Sequence, residues 1–136
     1  MSKNIPEILR KAVAIRADYR CEYCRRPEID SFIRYQSDHI ISRKHKGKTN
    51  LNNLAHACPL CNNAKGSDIA TVLEEDGSLI RLLNPRKDDW FAHFDVEDCQ
   101  IVPKTDIGAA TIELLKLNDV SRILERMDLI EAGLFP

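Results

Sequence analysis

The spacing of apolar residues along the chain predicts short helices and strands. Near the start, apolar side chains recur every three or four positions, which predicts a helix over residues 4–18. Asn4 and Glu7 are placed to form a capping box at its beginning. Two short apolar runs, at residues 36–41 and 53–57, predict a pair of strands separated by a basic loop.

The second half of the chain has its own pattern. Residues 61–73 predict one short helix, or two helices with a break at Gly66, and an Asp-Gly pair at 76–77 predicts a turn. Further strands are predicted at residues 78–83, 90–96 and 100–102, and helices at 104–119 and 120–133. This mixture of elements predicts an α+β protein.

These elements divide into two segments. We expect residues 1–72 to form one domain, and residues 73–136 to form a small β-hairpin plus two-helix extension packed on it. No apolar run approaches the ~20 residues that a membrane span needs. The first residues also lack the apolar block of a signal peptide. The sequence therefore favours a cytoplasmic protein with no membrane partner.

The net charge of −1 conceals a separation of charge along the chain. Residues 1–66 contain 13 Lys and Arg against 6 Asp and Glu, whereas residues 67–136 contain 7 against 15. A basic front half can contact a polyanion while the acidic rear half faces away. On this observation alone, a solvated mosaic of surface charges is the alternative.

Four of the five cysteines form two pairs of identical spacing, Cys21 and Cys24 in CEYC and Cys58 and Cys61 in CPLC. Zn²⁺ takes four ligands in a tetrahedron, and a two-residue gap lets both sulfurs of a pair reach one ion. In a cytosolic chain the pattern favours a metal site over disulfides. Four thiolates leave no open coordination position, which predicts a structural ion. Two unrelated thiol pairs or an iron–sulfur centre are the alternatives, and Cys99 lies outside the pattern.

Residues 37–66, SDHIISRKHKGKTNLNNLAHACPLCNNAKG, hold three of the four histidines and two of the cysteines. Together with CEYC, this stretch resembles the HNH nuclease motif in the variant that carries two CxxC pairs, and the resemblance covers residues 13–70. It implies a ββα-metal core with a four-cysteine zinc site, preceded by the N-terminal helix. The segments NPRKDDWFAHF and IGAATIELLKLN resemble an extension found on some small bacterial and phage HNH proteins.

The resemblance implies roles for four residues. Asp38 matches the metal-binding carboxylate, and His39 matches the general base. Asn53 matches the asparagine that orients this histidine through its side-chain amide, and Asn62 matches a second ligand of the catalytic ion. Asp and Asn oxygens suit Mg²⁺ or Mn²⁺. A histidine with a pKa near ~6.5 can take a proton from water at neutral pH.

Basic residues surround these positions and can hold backbone phosphates; they are Arg43, Lys44, Lys46, Lys48 and Lys65. Many relatives carry Gly-Gly in this loop, where the present chain has Lys46 and Gly47. The sequence thus predicts an HNH endonuclease that hydrolyses DNA, with structural Zn²⁺ and catalytic Mg²⁺ or Mn²⁺, related to phages or mobile elements.

The alternative function is a zinc-framed nucleic-acid-binding module that does not cut. A pure binder would need neither Asp38 nor His39 nor Asn62, so their presence favours the nuclease. The sequence contains no visible module that reads bases. We therefore expect sequence specificity to be low, or to come from a homodimer or a partner protein.

Overall fold

A computed structural model describes residues 5–29, 32–75 and 77–136. The chain forms two compact units, Met1–Asp68 and Ile69–Pro136. The division predicted at residue 72 falls at the end of a strand that pairs within the second unit. The capping residue Asn4 and the turn residue Asp76 lie outside the described residues. In the described part of the chain, no helix combines the length and apolar character needed to cross a membrane.

The first unit is a helix, a two-stranded hairpin and a second helix. Helix α1 spans Glu7–Arg16, directly after Pro6, whose fixed φ suits a helix start. Strands β1 (Gln36–His39) and β2 (Leu54–Ala57) are antiparallel, with Asp38 opposite Ala55 and His39 opposite Leu54. Helix α2 spans Pro59–Lys65. The element order after α1 is therefore strand, strand, helix.

Helix α1 supports the hairpin from one side. Val13 and Ile5 are buried against Leu54 of β2. The Arg16 guanidinium donates to the carbonyl oxygens of Leu51 and Leu54, at 2.9 Å and 2.6 Å, which ties the end of α1 to the start of β2. Ile8, one of the apolar residues of this helix, is 80% exposed. The apolar contact of α1 thus lies on its Val13 side.

The predicted helix over residues 61–73 is only half correct. Helix α2 ends at Lys65, and Gly66 follows with a φ of +51°, a conformation that glycine adopts without steric cost. Strand β3 (Ala70–Val72) then pairs antiparallel with β4 (Leu79–Arg81). The β-branched residues in this stretch favour the extended chain once the glycine has ended the helix.

A second hairpin and two helices complete the second unit. Residues 90–93, predicted as part of a strand, form the one-turn helix α3 (Trp90–His93). Strands β5 (Phe94–Glu97) and β6 (Gln100–Pro103) follow and pair antiparallel. Helices α4 (Asp106–Leu115) and α5 (Val120–Glu131) end the chain. The Thr105 hydroxyl caps α4 by accepting from the Gly108 amide at 3.0 Å.

Polar side chains connect the elements of this second unit. The partly buried Asn118 accepts from the Ile101 amide at 3.0 Å and donates to the Ile101 carbonyl at 2.8 Å, so it extends the edge of β6. Arg126, which is buried, donates to the carbonyls of Leu117 and Cys99. These contacts satisfy backbone groups that regular secondary structure leaves unpaired.

Candidate metal centre and active site

The four paired cysteines converge in the interior of the first unit. The sulfurs of Cys21, Cys24, Cys58 and Cys61 all lie within 4.8 Å of one another, and all four residues are buried. None is in a disulfide. The Cys24 and Cys58 sulfurs are 3.8 Å apart. A tetrahedron with Zn–S bonds of ~2.3 Å has sulfur–sulfur edges of about 3.8 Å, so this group can bind zinc.

Each cysteine pair is organised by a backbone amide. The Cys24 amide donates to the Cys21 sulfur at 3.5 Å, and the Cys61 amide donates to the Cys58 sulfur at 3.4 Å. Burial raises the pKa of the Cys21 and Cys61 thiols, whereas a hydrogen bond with Cys21 lowers that of Cys58. Buried thiolates need a compensating cation, which is the chemistry of a thiolate-bound metal.

Helix α2 begins inside this cluster. Cys58 is its N-cap residue, and Pro59 occupies the first turn, where its missing amide proton is not needed. The backbone amide of Asn62 donates to the Cys58 carbonyl at 2.9 Å. Asn62 is therefore one residue past the last cysteine, in a helix whose start is held by two sulfur atoms of the cluster. Its side chain is partly buried.

Asp38 is buried beneath two hydrogen-bond donors. Its Oδ2 atom accepts from the Tyr23 hydroxyl at 2.8 Å and lies 3.2 Å from the Lys65 ammonium. Burial raises the pKa of Asp38, and the opposing effects of Lys65 and the Tyr23 hydrogen bond lower it. Both contacts use the same oxygen. Tyr23 lies between Cys21 and Cys24, and Lys65 lies on α2, so the two segments that carry the clustered cysteines also position this carboxylate.

His39 follows on the same strand but has different surroundings. Its Nε2 atom lies 2.8 Å from the Thr49 hydroxyl, within hydrogen-bond distance. Burial lowers the pKa of His39, and the nearby charges of Arg43 and Lys65 lower it further. A lowered pKa keeps the imidazole neutral at physiological pH.

Asn53 does not have the side-chain role expected from the sequence. Its amide oxygen accepts from the Ile41 amide at 2.9 Å, and its amide nitrogen donates to the carbonyls of Ile41 and Lys48 at 2.8 Å and 2.9 Å. These bonds use the whole amide to connect the end of β1 to the following loop. Among the described residues, the hydrogen-bond partner of the His39 ring is Thr49, and the Asn53 side chain bonds to backbone groups of Ile41 and Lys48 instead.

The five predicted phosphate-binding cations fall into two groups. Arg43, Lys44, Lys46 and Lys48 are exposed on the loop of residues 42–50, which we call the basic loop. Lys65 is different, because it is only 2% exposed. Its ammonium contacts Asp38 and donates to the His39 carbonyl at 3.2 Å. Lys65 is thus an interior residue of the site rather than a surface ligand for DNA.

Sequence reasoning missed the contributions of Tyr23 and Thr49. Tyr23 lies inside the CEYC pair, so its burial beside the cluster could have been expected, but nothing in the sequence indicates a bond to Asp38. Thr49 lies at the end of the basic loop, ten residues from its partner. Its contact depends on how the loop folds back onto β1.

The comparisons with known proteins bear on the same segment. Residues 21–68 match a family model described as HNH endonuclease. No curated protein and no solved structure matches the chain. The matched range begins at the first cysteine of the cluster and extends three residues beyond α2, so it contains the hairpin, all four clustered cysteines and Lys65. Residues 21–68 therefore form a segment that matches the HNH endonuclease domain, a family whose members are generally nucleases.

Proposed function

We propose that this protein is a divalent-metal-dependent endonuclease that hydrolyses phosphodiester bonds in DNA. The observation that carries the proposal is the arrangement within the HNH segment. Asp38 and His39 end a strand that packs beside α2, and the start of α2 is anchored in the four-cysteine cluster. Tyr23 and Lys65 link Asp38 to this frame.

In this proposal the cysteine cluster holds a structural Zn²⁺. Four thiolates would fill the tetrahedral shell and leave no position for a substrate. The ion would then act by fixing the first cysteine pair relative to α2. That fixes Tyr23 and Lys65, the two residues that hold Asp38.

His39 acts as the general base. When Nε2 carries the ring proton, it donates a hydrogen bond to the Thr49 hydroxyl. Nδ1 then keeps a lone pair that can accept a proton from the attacking water. The lowered pKa of His39 favours this neutral form. The partner at Nε2 selects one tautomer and limits rotation of the ring.

Asp38 and Asn62 supply oxygen ligands to a catalytic Mg²⁺ or Mn²⁺. Hard oxygen donors suit both ions, and an ion bound there would supply Lewis-acid stabilisation of the phosphate and the leaving oxygen. Since Tyr23 and Lys65 both contact Oδ2 of Asp38, the ligand role falls to Oδ1. Burial raises the pKa of Asp38, and the Lys65 ammonium opposes that rise and so favours the ionised form that a cation requires.

The basic loop provides the contacts to DNA. Its four exposed cations lie in the loop between β1 and β2, directly after His39 in the chain, and can pair with backbone phosphates. Such contacts hold the duplex without reading bases. They support a nuclease of low sequence specificity.

A plasmid-nicking assay with added Mg²⁺ or Mn²⁺ tests the proposal. We expect cleavage by the wild-type protein, and a loss of about 100-fold or more in His39→Ala and in Asp38→Asn. His45→Ala is the matched control, because His45 is an exposed histidine on the basic loop. This variant should cleave at the wild-type rate. Zinc content and melting temperature are measured for each variant, so that loss of fold is separated from loss of chemistry.

The same assay separates the nuclease from a binding module. A module that binds without cutting would retard the plasmid in a gel and leave its topology unchanged at every metal concentration. Equal cleavage by the wild-type protein and by a folded, zinc-loaded His39→Ala variant would remove the general base from the proposal.

A further inference from the structure

A cavity lies in the first unit, and the proposed catalytic residues do not line it. Its volume is about 700 Å³, and it is lined by α1, by residues on either side of the first cysteine pair and by the β1–β2 hairpin. We call it the α1 groove. None of Asp38, His39, Asn62 or the four clustered cysteines lines it. A volume of this order suits a small ligand or a single nucleotide unit, but not a duplex.

Unpaired positive charge borders the α1 groove. Lys11 and Arg34 are exposed, and among the residues that the structure describes neither side chain has a protein acceptor. Arg10 also lines the groove, and its guanidinium donates to the Ile5 carbonyl at 3.1 Å. On the acidic side, Glu28 is already committed, because its oxygens contact His56 Nε2 at 2.7 Å and the Tyr35 amide at 2.8 Å. Among the described lining residues, three cations therefore stand against two carboxylates, and one of these carboxylates is already hydrogen-bonded.

Aromatic rings form the wall of the α1 groove. The His56 ring lies 5.3 Å from Tyr35 and 6.3 Å from Tyr19, between centroids. Tyr19 is 47% exposed and has a φ of +55°, as does Asp18 before it. Two consecutive non-glycine residues in this costly conformation hold the Tyr19 ring at the edge of the groove.

We propose that the α1 groove binds single-stranded DNA, with one base stacked on Tyr19 and its flanking phosphates paired with Lys11 and Arg34. Free cations beside a partly exposed aromatic ring are the combination by which proteins hold single strands. The proposal rests on the proposed function only in naming DNA as the partner. It assigns a binding site that is separate from the cleavage site.

Fluorescence anisotropy with a labelled 12-nucleotide oligo(dT) tests this site in the full chain. The His39→Ala background without added Mg²⁺ keeps the probe intact. We expect Lys11→Ala to weaken binding and to reduce the slope of log affinity against log salt by about 0.7, the value for one phosphate contact on a single strand. Lys87→Ala, which removes an exposed lysine from the second unit, should change neither quantity.

Tyr19 provides the second readout. Tyr19→Ala should weaken oligo(dT) binding by about tenfold, whereas Tyr19→Phe keeps the ring and should bind like the parent. A labelled duplex of the same length should lose much less affinity in both Lys11→Ala and Tyr19→Ala. Melting temperatures confirm that the variants are folded.

The site is refuted if Lys11→Ala behaves like Lys87→Ala, or if Tyr19→Ala binds like Tyr19→Phe. Equal losses for duplex and single strand would also refute it. Because the experiment measures binding without cleavage, a failure of the nuclease assay leaves its result unchanged. The two proposals can therefore fail separately.

Discussion

Lys65 and Asp38 form an ion pair in the interior of the first unit, and each member depends on the other. Lys65 is 2% exposed and its ammonium is 3.2 Å from Asp38 Oδ2. Removing one member of such a pair leaves an uncompensated buried charge. The ammonium also donates to the His39 carbonyl, so the pair connects α2 to the end of β1.

The buried pair gives a prediction for stability. Lys65→Met should lower the free energy of unfolding of the first unit by about 3–5 kcal/mol, because the Asp38 carboxylate loses its cation. The exposed Lys48→Met should change it by no more than about 0.5 kcal/mol. Urea unfolding followed by far-ultraviolet circular dichroism measures both.

A double-mutant cycle separates the ion pair from the packing of the lysine stem. In the Asp38→Asn background, Lys65→Met should cost clearly less than it does in the wild-type protein, because no carboxylate remains to be compensated. Equal costs in the two backgrounds would show that Lys65 acts through its aliphatic stem alone.

Thr49 gives a prediction for catalysis. Thr49→Val removes the hydroxyl 2.8 Å from His39 Nε2 while keeping a side chain of similar size, and should reduce the nicking rate by about tenfold or more. Thr49→Ser keeps the hydroxyl and should retain most of the rate. A folded Thr49→Val variant that cleaves at the wild-type rate would exclude Thr49 as the residue that orients His39.

At the residue scale, the sequence indicates which side chains can bind a metal more reliably than it indicates which side chains contact each other. The CxxC spacing was sufficient to identify the cysteine cluster, because two residues of separation restrict how far two sulfurs can lie apart. The bond from Tyr23 to Asp38 spans 15 residues of irregular chain. Such a contact depends on the exact backbone path, which no local pattern encodes. The same reason explains why Lys65 was expected on the surface.

At the scale of elements, the basic loop is held in shape by close contact with its neighbours. Lys46 has a φ of +72°, in the left-handed region that favours glycine. At Gly47, an added Cβ would overlap the Ile41 carbonyl and lie 2.8 Å from Asn53 Nδ2. Glycine is therefore required at position 47 by the close approach of the chain.

Gly47→Ala should consequently disturb the loop and its Asn53 contacts. We expect a loss of about 1–3 kcal/mol in unfolding free energy and a lower nicking rate, because the loop carries both Thr49 and the exposed cations. Lys46→Ala is the control for the unfolding free energy, since it keeps the existing Cβ and adds no atom near Ile41. An unchanged Gly47→Ala variant would mean that the loop adjusts without cost.

Element boundaries were predictable where a special residue marks them. Thr105 is of a residue type that favours helix N-caps, and its hydroxyl accepts from the Gly108 amide at the start of α4. The structure departs from prediction where apolar spacing fits two conformations. Residues 90–93 were predicted as part of a strand, yet they form a helical turn. The Trp90 ring of this turn packs 4.7 Å from the ring of Phe94, the first residue of β5. Tertiary packing decides such short segments.

At the scale of the whole molecule, the two units differ in how they are stabilised. The first unit buries few large apolar side chains around α1 and β2, and its interior contains the cysteine cluster. The second unit contains no member of that cluster and is connected by its hairpins, α4 and polar side chains. A small unit with a modest core depends on its metal, because metal binding supplies free energy of folding.

Replacement of one cluster cysteine should therefore affect the two units differently. Cys58→Ser should reduce bound zinc from about one ion per chain to almost none and unfold the first unit, because three thiolates bind the ion too weakly to offset chain entropy. Cys99→Ser, outside the cluster, should keep the zinc and the fold.

Trp90, the one tryptophan of the chain, lies in the second unit and reports its unfolding by fluorescence. We expect this fluorescence transition to persist in Cys58→Ser while circular dichroism shows loss of the first unit. If Cys58→Ser retains zinc and its full circular dichroism, the cluster does not stabilise the nuclease segment. If the Trp90 transition disappears as well, the second unit cannot fold without the first.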